Sequence, residues 1–397
     1  MNQPATAIES EHRPVEFSLV QGGPFYRLWL RTGLAKPPLE LPLRRAFFFV
    51  VMSWVPLLLL SSLPSEHRAV SFLMDLEVNV RFLIALPLLL FGELYNHTRL
   101  RGTVQQFVDR KIVAPEDRNR FDAIIRSTHR LRDSWLAEAV MVILVFTLGH
   151  WVWRNIHLSP NMATWYAAMS SGLVHYTPAG YWFAFVAIPL YKFLTLRWLW
   201  RIALWYQFLW RVRGLPLRVN LFHPDKAAGL GFLERSTMTF ALVLLAQSAT
   251  VASSIGNRIL HTGARLLEFK IEVATTVVSQ LVLVVFPLTF FVITLERAKR
   301  TAGRDFGTLA SAYVDGFHEK WIRGGLPQTG ELLGNPDFQS LADVGNSYFF
   351  IREIRPIPIS KGTLVTLATL VLAPMLPLLL TIMPLEQIVE HLLKAVL

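Results

Sequence analysis

The chain has 397 residues, of which 53% are hydrophobic and only 17% are charged. Soluble domains carry about 25% charged residues, so this composition argues against an ordinary water-soluble enzyme. The sequence contains no cysteine, which excludes disulfides, thiolate metal sites and cysteine nucleophiles, and its net charge of +11 permits anionic lipid, nucleic acid or acidic ligands as partners.

The N-terminal segment, residues 1–45, is polar and contains several prolines. Residues 24–34 place aromatic and leucine side chains beside Arg27 and Arg31, which is typical of a helix that lies on a membrane surface. We therefore predict a cytoplasmic N-terminal segment with one interfacial helix.

Seven apolar stretches have lengths close to the roughly 20 residues that a helix needs to cross a bilayer. The sequence predicts an all-α fold, a polytopic membrane helix bundle of about seven transmembrane helices with additional cytoplasmic and interfacial amphipathic helices. The predicted spans are residues 46–63, 79–98, 135–153, 180–200, 237–256, 271–295 and 362–384.

These spans divide the rest of the chain into regions. Residues 46–295 are predicted to form a six-span bundle with cytoplasmic helical loops, and residues 296–361 a cytoplasmic helical loop. Residues 362–397 then comprise the seventh span and a short helix on the outer membrane surface.

The distribution of basic residues predicts the orientation in a cell inner membrane. The N-terminal segment and alternate loops hold 31 of the 39 Lys and Arg residues, and the other loops and the tail hold seven. Because cytoplasmic loops carry the excess of positive charge, the N-terminus is predicted to be cytoplasmic and the C-terminus to lie outside. The basic residues occur in every cytoplasmic loop, which favours contact with anionic lipids and argues against a nucleic-acid site.

Ionisable and amide side chains inside the spans are candidates for a polar pathway, because a charge at membrane depth is costly. Lys192 lies deepest, and Glu93, His97 and Glu138 lie near the inner ends of their spans. These four side chains could form a proton or ion relay, or Lys192 could extend inward and pair with a carboxylate as a structural tie. Gln247 and Gln280 lie at comparable depth, where they could line a hydrated path or hydrogen-bond between packed helices.

A second polar group is predicted at the outer side. Glu77 and Arg81 are four residues apart on one helix, and His150 and Arg258 lie at the ends of other spans. These residues could form an outer site or could satisfy one another as charges at helix ends.

The last cytoplasmic loop carries an apolar stripe at three- to four-residue spacing. Phe306, Tyr313, Phe317 and Trp321 belong to it. The stripe predicts a helix that packs against the protein's own loops, a second subunit or a partner protein.

The most distinctive local motif is His223-Pro224-Asp225, followed by Gly229 and Gly231. We interpret it as a turn in which Asp225 caps a helix, with metal binding by His223 and Asp225 as the weaker alternative. The motif lacks the third glycine and the preceding strand of a dinucleotide fingerprint, and no cofactor is predicted.

Four stretches resemble a family of bacterial polytopic integral membrane proteins without an assigned activity. They are residues 17–24 (FSLVQGGP), 75–82 (DLEVNVRF), the His223 motif and 340–347 (SLADVGNS). The resemblance extends over nearly the whole chain, and it implies a bacterial inner-membrane protein and no particular reaction. Ala228 stands at a position where the resemblance leads us to expect glycine.

The chain contains no Walker A loop, H-E-x-x-H pair or G-x-S-x-G elbow. A membrane-embedded enzyme without a recognisable motif therefore remains a third alternative. The first hypothesis is an oligomeric channel or transporter for a small ion or solute. The second is an accessory or assembly subunit whose cytoplasmic surface docks a partner protein.

Overall fold

The computed structural model describes residues 15–37, 39–62, 72–149, 165–170, 173–323 and 335–381. The described chain is mostly helical, and its strands form one antiparallel hairpin of β1 (Ala167–Ser170) and β2 (Leu173–Tyr176), so the predicted all-helical fold is confirmed. The helices, in chain order, are α1 Pro24–Arg31, α2 Pro42–Ser61, α3 Leu76–Asp109, α4 Arg118–Arg132, α5 Trp135–Phe146, α6 Pro178–Val212, α7 Gly231–Met238, α8 Ala241–Thr262, α9 Leu266–Arg323, α10 Pro336–Arg352 and α11 Lys361–Thr381.

Five of these helices, α2, α3, α6, α9 and α11, are long and apolar enough to cross a membrane. Helices α7 and α8 together would provide a sixth candidate, with a bend of 42° between them. The five apolar helices are compatible with a multi-pass membrane protein.

The predicted third span differs from the others. Helix α5 has 12 residues, which at 1.5 Å per residue cover about 18 Å, less than the roughly 30 Å of a hydrocarbon layer. The predicted span extends to residue 153, and residues 150–164 lie outside the described part of the chain. The number of seven spans is therefore not confirmed. The predicted outer helix near the C-terminus also lies outside the described residues.

Interior prolines change the helical geometry of four of the candidate membrane-spanning helices. In α3 and α6, π-helical turns at Arg81–Ala85 and Phe183–Ala187 end two residues before Pro87 and Pro189. Proline lacks an N–H and its ring crowds the carbonyl four residues earlier, and a widened turn relieves that clash. Helices α9 and α11 instead tighten to 3₁₀ geometry over Phe286–Phe291 and Ala373–Thr381.

The centre of the bundle is formed by α3, which packs against α2, α6 and α8. Phe82 and Trp198 are buried there, and the Trp198 indole donates a hydrogen bond of 3.0 Å to the carbonyl oxygen of Leu89. Helices α4 and α5 pack on α6, while α8 contacts α9 and α11. Apolar burial thus fixes the positions of the helices that carry the polar residues described below.

The N-terminal segment is part of this core. The ring of Phe17 lies 4.6 Å from that of Phe208, and α1 buries Tyr26 and Trp29 against the bundle while Leu28 stays half exposed. The apolar face of α1 therefore packs against the protein's own helices, in addition to any contact with lipid.

His129 on α4 holds the N-terminal segment through Ser18, whose backbone N–H donates to His129 Nε2 at 3.4 Å. Burial, helped by the positive charge of Arg132, lowers the pKa of His129 to about 4. An unfolded histidine titrates near 6.5, so the unfolded chain binds more protons between these values, and the stability contribution of the neutral ring is lost as the pH falls from about 6.5 to about 4.

We expect the apparent melting temperature in detergent to fall across this pH window, by an amount equivalent to about 2 kcal/mol. His129→Asn should flatten this part of the profile, whereas His261→Asn, at an exposed position, should leave it unchanged. An unaltered slope in His129→Asn would assign the acid sensitivity to another group.

Helix α9 continues beyond its apolar part and forms a long extension with α10, which packs back against it. We call residues 296–323 and α10 the arm. Lys299 Nζ donates hydrogen bonds to the carbonyl oxygens of Arg352 at 2.8 Å and Ile354 at 3.0 Å, so the two ends of the arm are tied together at its base.

Candidate functional site

The carboxylate of Glu93 is buried among three arginines, Arg45, Arg197 and Arg201. It accepts hydrogen bonds from Arg45 Nη1 at 3.0 Å and from Arg201 Nη2 at 2.7 Å, and Arg197 Nη1 lies 3.6 Å from Glu93 Oε1. The side chains of Arg45 and Glu93 are 0% and 1% exposed. We call these four residues, together with Glu138, the ion cluster.

Four helices supply the ion cluster. Arg45 lies near the start of α2, Glu93 lies on α3 and Glu138 on α5, while α6 carries Arg197 and Arg201. The two α6 arginines are four residues apart, so they share one face of the helix. The cluster therefore ties together elements that are distant in sequence.

Aromatic rings of α1 cover two of the guanidinium groups. Arg45 lies 4.8 Å from the ring centre of Trp29, and Arg197 lies 4.7 Å from Phe25 and 5.3 Å from Trp29. A cation over an aromatic face gains on the order of 1 kcal/mol, which offsets part of the loss of hydration. Helix α1 thus closes the ion cluster on one side.

Glu138 joins the ion cluster through Arg197 and α1. Its Oε2 accepts the backbone N–H of Phe25 at 2.8 Å, and its Oε1 lies 3.9 Å from Arg197 Nε. Gly23 permits this approach, because it has a φ of 85° and a Cβ at that position would lie 2.8 Å from Glu138 Oε1. The glycine pair of the 17–24 motif therefore shapes the site.

The ion cluster contains three cations and two carboxylates, so its charges do not balance. The Nε and Nη2 atoms of Arg45 and the Nη1 atom of Arg197 are buried without a hydrogen-bond partner among the described residues. Buried donors without a partner are costly, so the cluster carries an uncompensated positive charge.

An apolar groove of about 590 Å³ starts at Glu138 and runs between α1, α2, α5 and α6. Among the described residues that line it, Glu138 is the only charged one. The walls comprise Pro24, Phe25, Leu28, Met52, Trp135, Ala139, Val142, Val145, Phe146, Phe185, Val186, Pro189, Leu190 and Phe193.

The predicted polar pathway is brought together only in part. Glu93 and Glu138 meet through Arg197, but Lys192 donates a hydrogen bond of 2.7 Å to the carbonyl oxygen of Gly149, near the other end of α5. His97 pairs with the Ser18 hydroxyl at 3.0 Å. The structure therefore places Lys192 and His97 outside the ion cluster, and Lys192 binds a carbonyl where a carboxylate was expected.

The two glutamines form separate contacts between helices. Gln247 on α8 lies 3.5 Å from the Thr195 hydroxyl of α6, and Gln280 on α9 lies 3.4 Å from the Ser248 hydroxyl of α8. Hydrogen bonds of this kind between polar side chains stabilise the packing of apolar helices against each other.

The predicted outer cluster divides into two ion pairs. Arg81 binds Glu77 on the same helix, and Arg258 binds Glu272 of α9 at 2.6 Å. His150 lies outside the described residues. Both pairs connect residues at helix ends.

A buried acid near the outer cluster was missed from the sequence. Asp75 accepts hydrogen bonds from the Val78 backbone at 3.1 Å and the Trp165 indole at 2.9 Å, and Asn257 lies 3.4 Å away. Burial raises the pKa of Asp75. Its place directly before an apolar stretch is a helix-cap signal, and it could have been found in that way.

The apolar stripe lies within the arm and against the bundle. Phe317 and Trp321 pack against Phe338 of α10 with ring centres 5.0 and 5.2 Å apart. Tyr313 donates to the carbonyl oxygen of Asp337 at 3.2 Å, and the ring of Phe306 lies 5.7 Å from Phe222. The protein's own elements therefore cover these side chains in part.

The His223 motif folds as a loop that is held by the Asp225 carboxylate, and the N-cap residue of the following helix α7 is Leu230, which has no side-chain cap. Asp225 accepts the backbone N–H groups of Ala227, Gly229 and Gly231 at 2.9, 3.1 and 2.8 Å, and its Oδ1 lies 3.1 Å from His223 Nδ1. No group of three or more metal-binding side chains occurs in the part of the chain that the structure describes.

Part of this loop has a left-handed backbone conformation. Ala228 has a φ of 53°, in the region that favours glycine. The loop thus holds a strained conformation without the glycine that the resemblance leads us to expect.

Sequence reasoning identified the acids of the ion cluster but missed its cations. Arg45, Arg197 and Arg201 lie at the predicted ends of spans, where arginine serves to orient the helix. The spacing of Arg197 and Arg201 on one face of an apolar helix was the available signal.

The geometry defines a helical protein with five candidate membrane-spanning helices and a buried ion cluster between them. No family model, no curated protein and no solved structure matches the chain.

Proposed function

We propose that the chain is a seven-span protein of a bacterial inner membrane that transports a small amphipathic solute. The basic residues favour a cytoplasmic N-terminus and an outside C-terminus, and the ion cluster then lies near the inner leaflet. Helix α5 supplies the seventh span in this proposal, since it is apolar and most of its side chains are exposed.

The observation that carries the proposal is the groove beside α5. Its volume of about 590 Å³ lies within the roughly 300 to 1,000 Å³ of small-molecule sites, and such sites combine apolar walls with few polar groups. A solute with an apolar body fits the walls and can enter sideways from the bilayer.

Glu138 gives the groove a polar end. Its carboxylate accepts hydrogen bonds, so it favours a solute whose head is a cation or a neutral donor. Arg197 lies 3.9 Å from the same carboxylate and contacts Glu93, so a bound head would alter the balance of charges in the ion cluster. Binding of the solute could in this way change the relative positions of the helices that the ion cluster connects.

Cysteine protection tests binding, because the chain has no cysteine of its own. Ala139→Cys lies in the groove, and Val140→Cys lies beside it on the exposed face of α5. In nanodiscs, dodecylammonium should slow the reaction of a membrane-permeant maleimide at position 139 by about tenfold and leave position 140 unchanged, whereas dodecanoate should protect less.

Transport is tested in proteoliposomes with the amphiphile that protects best. Ala139→Trp should fill the groove and abolish uptake, Glu138→Gln should reduce it, and Val140→Trp should leave it intact. Equal labelling rates at both positions with every head group would show that lipid alone occupies the groove, and the proposal would fail.

A second candidate function rests on the arm. Its inner side chains pack against each other, but Leu309, Phe349 and Phe350 remain 58%, 59% and 43% exposed. Exposed apolar patches of this kind are typical of association surfaces, and we propose a second copy of the chain as the occupant.

Leu309→Cys tests this association by disulfide cross-linking in native membranes, with Arg304→Cys as the control at an exposed position on the same helix. A cross-linked dimer at position 309 that is lost when Phe349 is replaced by Ser supports association. A monomer under all conditions contradicts it.

A further inference from the structure

A second cavity lies at the base of the arm, apart from the groove. It has a volume of about 330 Å³ and lies between the His223 loop, the end of α3 and the segment that follows α10. Four permanently charged cations line it, together with one histidine: Arg110, Lys226, Arg235, Arg355 and His223.

The two acids of this cavity are already engaged by the backbone. Asp225 accepts the three N–H groups of its own loop, and Glu234 Oε2 accepts the N–H of Ser360 at 2.8 Å. Lys226 is paired with Glu353 at 2.7 Å. The three arginines therefore face the cavity without a carboxylate partner among the contacts described, and the local charge is positive.

The guanidinium groups retain donors for a ligand. Arg355 gives one Nη2 hydrogen bond to the carbonyl oxygen of Asp225 at 2.7 Å, and its buried Nε has no partner among the described residues. Arg110 stacks on Phe232 at 5.2 Å and makes one long contact of 3.5 Å, and Arg235 is exposed. Arginine is the residue best suited to bind phosphate oxygens in pairs.

We propose that this cavity binds a phosphate group through Arg110, Arg235 and Arg355. The cavity has room for a phosphate with a small organic group attached, because its volume reaches the lower range of ligand sites. The same chemistry occurs in a free phosphorylated metabolite and in the headgroup of a lipid. The cavity shares no lining residue with the groove, so this inference stands or fails independently of the proposed transport.

The test uses the purified full chain and two sources of phosphate. Titration calorimetry in detergent with inorganic phosphate and glycerol 3-phosphate measures binding of a free ligand. Titration of the same detergent-solubilised chain with short-chain phosphatidic acid, and with short-chain phosphatidylcholine as the control, measures binding of a headgroup. Saturable binding in the first arm assigns a soluble ligand, and phosphatidic acid dependence in the second arm alone assigns a lipid.

The variants decide whether the cavity is responsible. Arg110→Gln and Arg235→Gln together should weaken whichever binding is found by about tenfold or more, since each removes a charge-assisted contact. Arg304 and Arg300 are exposed residues of the arm, and their replacement by Gln changes the net charge by the same amount and should alter affinity less than about twofold. Thermal unfolding of both double variants checks that the fold is retained.

Two results would overturn the proposal. One is the absence of binding in both arms for the unaltered chain. The other is equal loss of affinity in the cavity and control variants, which would indicate general electrostatic attraction in place of a site. Arg355→Lys gives a third comparison, because it keeps the charge but loses the paired geometry, and retention of full affinity would remove Arg355 from the proposal.

Discussion

Glu93→Gln is expected to destabilise the protein by about 3 to 5 kcal/mol, the range observed when one partner of a buried ion pair is removed. The substitution keeps the size of the side chain and removes its charge. Arg45, Arg197 and Arg201 would then repel one another in a site where water cannot replace the carboxylate. The loss is expected as a lower yield of folded protein and a lower melting temperature.

The measurement is the melting temperature in detergent, followed by fluorescence-detected size exclusion. Glu272→Gln is the matched control, because its ion pair with Arg258 is 40% to 46% exposed and such pairs contribute about 1 kcal/mol or less. Addition of Arg201→Gln to Glu93→Gln should restore part of the loss by removing one unpaired cation. Normal stability of the single variant would show that the arginines find other acceptors.

Asp225→Ala is expected to destabilise the His223 loop by about 3 kcal/mol, because three backbone N–H groups lose a charged acceptor at once. Burial alone would raise the pKa of Asp225, but these three N–H groups together with His223 hold it below its usual value. Its contribution to stability is therefore complete above about pH 4 and is lost as the pH falls below that value.

Melting curves between pH 3 and pH 7 measure both effects. Asp343→Ala, which removes an exposed acid from α10, should change stability by less than about 0.5 kcal/mol. Because the loop carries Lys226, whose partner Glu353 follows α10, Asp225→Ala should also increase proteolysis at the base of the arm. A variant as stable as the unaltered chain would show that water replaces the lost acceptor.

The helical fold could be predicted from the sequence because apolar length is a local property. Each of the five candidate spans overlaps a predicted one, and the bent pair α7 and α8 includes a sixth. The end of helix α5 was harder to predict, because hydrophobicity indicates where a chain is apolar but not where its backbone hydrogen bonding changes. The Thr147 position directly after α5 has no feature that predicts the end of regular helix.

The ion cluster could be predicted only in part. The cost of a charge at depth marks Glu93 and Glu138, whereas their partners come from elements up to 113 residues away. Lys192 is a similar case. The sequence predicts its position on α6, but it does not predict the direction in which its long flexible side chain extends. The spacing of the stripe marks one face of a helix, whereas its contact with Phe338 of α10 depends on the tertiary structure.

Helix α9 continues in one direction from Leu266 to Arg323 despite its 3₁₀ turns, so a movement of its apolar part is transmitted to the arm. Residues 296–323 extend about 42 Å past the apolar part at helical rise, so a tilt of the apolar part by about 5° would displace the far end by roughly 4 Å. The arm would pivot at its base, where Lys299 binds the carbonyl oxygens of Arg352 and Ile354. Small rearrangements among the helices of the bundle would thus displace the far end of the arm.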